Sequence, residues 1–312
     1  MKTTLQLCLL LLSNLILNAT ILRCNNNPGV TGTYQTLYDA LSNASPGDTI
    51  HLEPSSISYG FIGGFSNPSI SVNNITFIGN GLNLSANPGN QADTLISKID
   101  YFFSGGDYNS FYGIECLGPM FIAGDYNIIE NCKFKYLRFY SHHCQLNHCI
   151  IPTRLTGSLN DIIVPNVLLS WSAHDIEISN SYFGGAIYSD SNSSYNISLI
   201  NNVFDDTLMN SLDDPLKLFN ATLINNVFKS DANVLDTSGN NIFINNIALS
   251  NSCILPSGNG NISGVNPNIV FANPESAQIE DQHILPTFSV QNVGLFAGAD
   301  PYIPGRSGPI PS

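Results

Sequence analysis

The sequence predicts an all-β solenoid, a parallel β-helix, on three observations. One phrase is written three times, as Asn196-Ile-Ser-Leu-Ile-Asn-Asn-Val-Phe204, Asn220-Ala-Thr-Leu-Ile-Asn-Asn-Val-Phe228 and Asn240-Asn-Ile-Phe-Ile-Asn-Asn-Ile-Ala248. With Asn201, Asn225 and Asn245 taken as equivalent, the spacings are 24 and 20 residues, a period of stacked coils rather than of a bundle or sandwich. Each phrase alternates apolar and polar residues before its Asn pair, so each reads as a short strand that ends in a turn. The chain is 43% hydrophobic and 11% charged, which supplies enough apolar surface for a core and argues against disorder.

The chain opens with Lys2, an apolar run from Leu5 to Leu17, and small or polar residues around Asn18, Ala19 and Thr20. That layout predicts a secretory signal peptide over residues 1–19. The run is shorter than the roughly 20 apolar residues of a spanning helix, and no later stretch approaches that length. The expectation is an exported protein, extracellular, periplasmic or held at the cell surface, with no membrane span.

From Thr33 to Ala44, Tyr34, Leu37, Tyr38 and Leu41 fall at the spacing of an amphipathic helix, which Ser45-Pro-Gly-Asp48 ends. A solenoid leaves its first coil's core and strand edges open, so a helix near 33–45 is expected as a cap. Thr49-Ile-His-Leu52 begins the strands, and Asn73-Asn-Ile-Thr-Phe-Ile-Gly79 is the first clear copy of the repeat. Aligning Gly79, Gly113, Asn131, Asn147, Asn180, Asn201, Asn225 and Asn245 gives steps of 34, 18, 16, 33, 21, 24 and 20 residues. The two long steps predict insertions at 83–97 and 152–172. A weak copy, Asn261-Ile-Ser-Gly-Val-Asn266, closes the series. The β-helix domain is expected over 20–300, and the Pro- and Gly-rich residues 301–312 as an extended tail.

Short strands joined by turns at a period near 20 residues close their hydrogen bonds only with the coils on either side. The leucine framework and helical return limb of leucine-rich repeats are missing. Repeated Asn at one corner predicts a structural ladder of stacked amides, Asn131, Asn147, Asn180, Asn201, Asn225 and Asn245.

Formal charge is -13, which excludes a partner whose phosphates must be neutralised, so no nucleic acid is expected. Of the seven cysteines, Cys8 lies in the leader and six remain. Cys116, Cys132 and Cys149 recur at about one coil spacing. They read as small apolar side chains stacked inside, with a disulfide between neighbouring coils or zinc binding by Cys144, Cys149 and nearby histidines as alternatives.

Thr33-Tyr-Gln-Thr-Leu-Tyr-Asp-Ala-Leu41 with Pro46-Gly-Asp-Thr-Ile50 resembles the entry of right-handed parallel β-helix proteins of the pectin-lyase-like superfamily, and the Asn-pair coils resemble their repeats. The ending Gly294-Leu-Phe-Ala-Gly-Ala-Asp-Pro-Tyr302 with Pro309-Ile-Pro311 is similar to that of exported β-helix proteins of Bacteroidota-type bacteria. The resemblance implies a right-handed solenoid over nearly all the mature chain. It carries over no catalytic residue. The Asn-Thr-Asp, Gly-His-Gly and Arg-Ile-Lys elements of polygalacturonase-like hydrolases are missing, as is the Lys and Arg framework of alginate or chondroitin lyases, and a fold alone does not license an activity.

Two clusters remain as candidate sites. Lys133, Lys135, Arg138, His148 and Arg154, with His142 and His143 among them, gather basic groups in a chain poor in them. They read as a solvated, charge-balancing face or as a site for an acidic glycan, where a Lys or Arg beside a His could neutralise a uronate and take its proton. Asp205, Asp206, Asp213 and Asp214 read as turn residues, as oxygen ligands for Ca²⁺, or as acid and base for glycoside cleavage. Trp171, Tyr182, Phe183 and Tyr188 read as core aromatics or a sugar platform, and His51 and His174 as structural histidines. No cofactor is expected apart from Ca²⁺ at those carboxylates. The expected function is polysaccharide binding or surface scaffolding by a monomer, with no catalytic residue assigned and the enzyme question left open. The alternatives are a polysaccharide lyase or glycoside hydrolase acting on an acidic glycan, and an adhesin or matrix component.

Overall fold

The computed structural model describes residues 19–30, 34–55, 57–62, 70–80, 97–147, 149–151, 167–169, 174–183, 187–189, 194–204, 208–210, 216–229, 235–236, 240–251 and 253–270. Their strands pair in parallel from coil to coil, and the chain is an all-β parallel β-helix. One sheet stacks ten strands, from Ile21–Cys24 to Ile242–Ile244. A second, of 14 strands, wraps the sides that follow, and a small third sheet joins Ser194–Tyr195, Leu216–Phe219 and Leu235–Asp236.

The first sheet starts one coil earlier than the sequence suggests. Ile21–Cys24 lies beside Thr49–Leu52 in parallel register, Leu22 against Ile50 and Cys24 against Leu52. The helix Leu37–Ser42 packs on both strands and covers this end. Its Thr36 cap accepts the Asp39 N–H at 3.0 Å, satisfying one of the orphan donors of a helix start. Leu37 and Ala40 are its buried face, whereas Tyr38, expected on that stripe, is exposed because the short helix has only one turn to bury.

Most of the first sheet's strands are three residues long with the middle residue inside, as in Ser198–Ile200, Thr222–Ile224 and Ile242–Ile244. Aromatic rings continue this stacking inside the solenoid. Phe77 lies on Phe111 at 4.9 Å, and Phe183, Phe204 and Phe228 follow one another at 5.2 Å. Together with the aliphatic rows they form one core running from Leu22 to Leu255.

Left-handed residues bracket most of these strands. After them come Gly113, Asn131, Asn180, Asn201, Asn225 and Asn245, and before them Asn74, Tyr108, Tyr126, His143, Asp175, Asn196 and Asn220, with φ between 49° and 65°. Left-handed backbone costs an ordinary L residue about 1–2 kcal/mol and costs Gly and Asn least, so the Asn repeats are first of all corners.

The amide ladder lies one residue further on than expected. Asn202, Asn226, Asn246 and Asn261, each next to a corner, carry the continuous bonds from coil to coil, and the first three are fully buried. Of the predicted ladder, Asn180 and Asn201 do bond, Asn201 Nδ2 to Asn180 Oδ1 at 3.2 Å and Asn180 Nδ2 to Asn147 Oδ1 at 3.0 Å. Asn147, though, is not a corner. It is in register with Glu130 and Ser179, and because Lys133 pairs with Ile150 and Ile150 with Tyr182, the steps there are 17 and 32 residues rather than 16 and 33.

Upstream, the ladder's inward row is filled by Cys132, Cys149 and Ser181. Cys24, Cys116, Cys132, Cys144, Cys149 and Cys253 are all buried free thiols, in keeping with the reading as interior small side chains rather than a disulfide. Residues 1–18 of the expected signal peptide, most of the insertion expected at 83–97 and the expected tail lie outside the described residues. So does the insertion at 152–172, except that Val167–Leu169 returns as a strand beside Leu137–Phe139.

Candidate functional site

Of the basic cluster, Lys133, Lys135, Arg138, His142 and His143 are described, and the first three stand in different surroundings. All three sit on Lys133–Phe139 of the second sheet. Lys133 Nζ lies 2.8 Å from Glu115 Oε1, Lys135 is exposed at the irregularity between Phe134 and Tyr136, and the Arg138 guanidinium lies 4.4 Å above the Tyr140 ring. His148, Arg154, Asp205, Asp206, Asp213 and Asp214 lie outside the described residues.

A different set of side chains does come together, on the corner that precedes the first sheet. Asn serves as the left-handed residue there in Asn74, Asn196 and Asn220, but the four coils between carry Tyr108, Tyr126, His143 and Asp175. Left-handed Tyr and His are uncommon and strained, so these coils hold side chains for which a cheaper residue is used on either side. Tyr108 and Tyr126 are stacked at 4.8 Å with their planes 2° apart, and Tyr126 and His143 at 4.7 Å and 11°. The spacing is that of the coils themselves. The ring faces meet one another, and the row remains open to solvent, Tyr108 being 57% exposed.

One position earlier, a second row holds the backbone in place. Asp107 Oδ1 accepts the Asp125 N–H at 2.8 Å, and Asp125 Oδ1 accepts the His142 N–H at 2.8 Å. His142 then stacks on His174 of the next coil, ring centroids 3.9 Å apart. Asp175 Oδ2 is 2.7 Å from His174 Nδ1 and 3.5 Å from His143 Nδ1, while its Oδ1 accepts the Asn196 amide at 2.8 Å. Burial opposes ionisation of Asp175, but the hydrogen bonds from Asn196 and His174 and the two imidazoles outweigh it and hold its carboxyl below the ordinary 3.8.

Between this row and the outward face of the first sheet runs an open groove of about 440 Å³. Gln145, Glu177 and Ser198 form its floor, and Tyr126, His143, Asp175, Asn196 and Asn220 its side. Those five corners lie on successive coils, a length of about 19 Å at 4.8 Å per coil. The lining is mostly amide, hydroxyl and carboxylate, with the His143 imidazole, Cys144 and Ile176 and with no Lys or Arg among the described residues. His142 and His143 were legible as members of a basic cluster, but His174, expected to be structural, belongs to this site. The available signal was the His-Asp pair at a corner where other coils carry Asn.

No family model matches the chain, and no curated protein matches it. Among solved structures, it is similar to the crystal structure of pectate lyase Pel9A, at 13% identity and a TM-score of 0.54 over 90% of this chain and 88% of that one. That likeness shows a shared fold. Among the described residues no helix is long and apolar enough to cross a membrane.

Proposed function

We propose that the chain is an exported β-helix protein that binds a neutral, hydroxyl-rich polysaccharide along the corner groove. The observation that carries this reading is the run of left-handed Tyr108, Tyr126, His143 and Asp175 in place of Asn, beside an open polar groove. A long groove lined by fixed amides, hydroxyls and carboxylates suits a chain of hydroxyl groups, each able to donate and accept. Asp175 and Glu177 oppose a polyuronate through like charge, so the acidic glycan considered from sequence is disfavoured at this place. The leader pattern of residues 1–19 supports export, and the likeness to a pectate lyase is in keeping with a polysaccharide partner.

Binding is preferred over lyase chemistry because a lyase needs a cationic side chain that neutralises the uronate beside its base, and the described lining sets no Lys or Arg next to His143. A glycan array read against neutral and acidic polysaccharides tests the proposal. Binding to neutral chains that is weakened in Tyr126→Asn supports it, whereas binding confined to polyuronates, or none at all, overturns it. Unsaturated products absorbing in the ultraviolet from any bound uronate would instead establish the lyase.

A further inference from the structure

We infer that His143, His174 and Asp175 form a binding site for a divalent transition metal ion of the zinc type, open towards the groove. Their ligand atoms all lie within 4.8 Å of one another. Zinc bonds of about 2.0–2.1 Å place ligand atoms about 3.3 Å apart, so a closure of about 1.5 Å completes the triad. The three side chains are only partly buried and have the freedom to make it, with exposures of 41%, 42% and 30%. Imidazole and one carboxylate select zinc, cobalt, nickel or copper over the hard, oxygen-seeking Ca²⁺.

The surroundings are those of a supported site. Asn196 holds Asp175 Oδ1 at 2.8 Å and leaves Oδ2 aimed at both imidazoles. His142 lies flat on His174 and is itself fixed by Asp125, with Nδ1 3.2 Å from its Oδ1. Tyr126 stacks on His143 from the coil before. Each ligand therefore has a neighbour that orients it, the arrangement on which metal affinity depends. The imidazoles come from adjacent coils, since His142 bridges to His174 and His143 N–H bonds to His174 O at 3.2 Å. Three protein ligands leave the remaining coordination positions facing the groove, where water or a ligand oxygen can enter. The site does not depend on the glycan reading.

The test is titration of the chelator-stripped full chain with Zn²⁺ against a chromophoric indicator, with Ca²⁺ as control. One Zn²⁺ per chain at micromolar concentration or below is expected, with no competition from millimolar Ca²⁺. His143→Asn and Asp175→Asn should each abolish it. Both variants suit the fold, because Asn already occupies this left-handed position at Asn74, Asn196 and Asn220. Asn196→Ala should weaken binding by about 10-fold. Failure of the wild type to take up Zn²⁺, or unchanged uptake in His143→Asn, overturns the site. Should a variant misfold, the wild type still decides: Co²⁺ should give the large contact shifts of direct ligation to the rings of two of the six histidines, set apart from the smaller through-space shift of the stacked His142, and the lack of any contact-shifted histidine overturns it.

Discussion

The side-chain oxygen of Asn226 accepts two hydrogen bonds from Asn202 of the preceding coil, one from its backbone N–H at 3.0 Å and one from its amide at 3.2 Å. The Asn226 amide reaches back to Leu199 O at 2.7 Å and forward to Asn246 Oδ1 at 3.0 Å. Asn226→Ala therefore strands buried donors and acceptors on three coils. It should cost about 3 kcal/mol, read as a lower urea midpoint. Asn225→Gly, one residue away at the left-handed corner, should change the midpoint little, because Gly adopts that backbone freely.

Tyr126 is stacked on both sides, by Tyr108 and by His143. Tyr126→Asn keeps the corner and removes two ring contacts, a loss of about 1–2 kcal/mol offset in part by relief of backbone strain. Its melting temperature should fall by a few degrees at most, while affinity for a neutral polysaccharide should drop by about 10-fold.

Adjacent glycines should respond oppositely. A Cβ on Gly106 would lie 2.2 Å from Val72 O, whereas one on Gly105 would meet nothing closer than 3.6 Å. Gly106→Ala should destabilise by about 3 kcal/mol through forced backbone movement, and Gly105→Ala by less than about 1 kcal/mol. Thermal unfolding of the pair checks both.

Burial pushes the thiols of Cys116 and Cys132 from 9.0 up to about 12, and that of Cys149 well above 9.0. These six buried thiols, Cys24 to Cys253, should therefore stay unreacted with a thiol reagent in the folded protein at pH 8 and all react in denaturant. A pKa raised by folding contributes stability in full below the unfolded value and loses it as pH rises through the folded one. The unfolding midpoint should thus decline between about pH 9 and pH 12, and Cys132→Ala should lessen that decline.

Asp175 carries the opposite sign. Its carboxyl is held below 3.8, first against burial and then by Asn196 and the two imidazoles, so its contribution is present above that value and lost as pH falls below it. Asp175→Asn should be less sensitive than wild type to acid in this range, measured by circular dichroism down to pH 2.

The solenoid was legible because its cause is periodic: Leu199, Leu223 and Phe243 recur inside and the Asn pairs recur at a corner. The division of labour within each pair was not. Asn201 and Asn202 are identical in sequence, and only the backbone shows that the first turns left-handed while the second turns inwards. Asn147 reads as a corner for the same reason, although it is the last paired residue of its strand. The groove escaped notice because its residues are 126, 143, 175, 196 and 220, an array that exists only once the unequal coil lengths are known.

Asn202 and Asn226 are 24 residues apart and Asn226 and Asn246 only 20, yet the same bonds join both pairs. The amide column is therefore indifferent to how much chain lies between two of its members. Length can be gained or lost on the far sides of a coil without disturbing it, and whole coils can be added or removed as units. Splicing out 203–226 would bring Asn202 against Asn246 with matching donors and acceptors. The reach of such a protein along a fibre is thus counted in integers, one coil at a time.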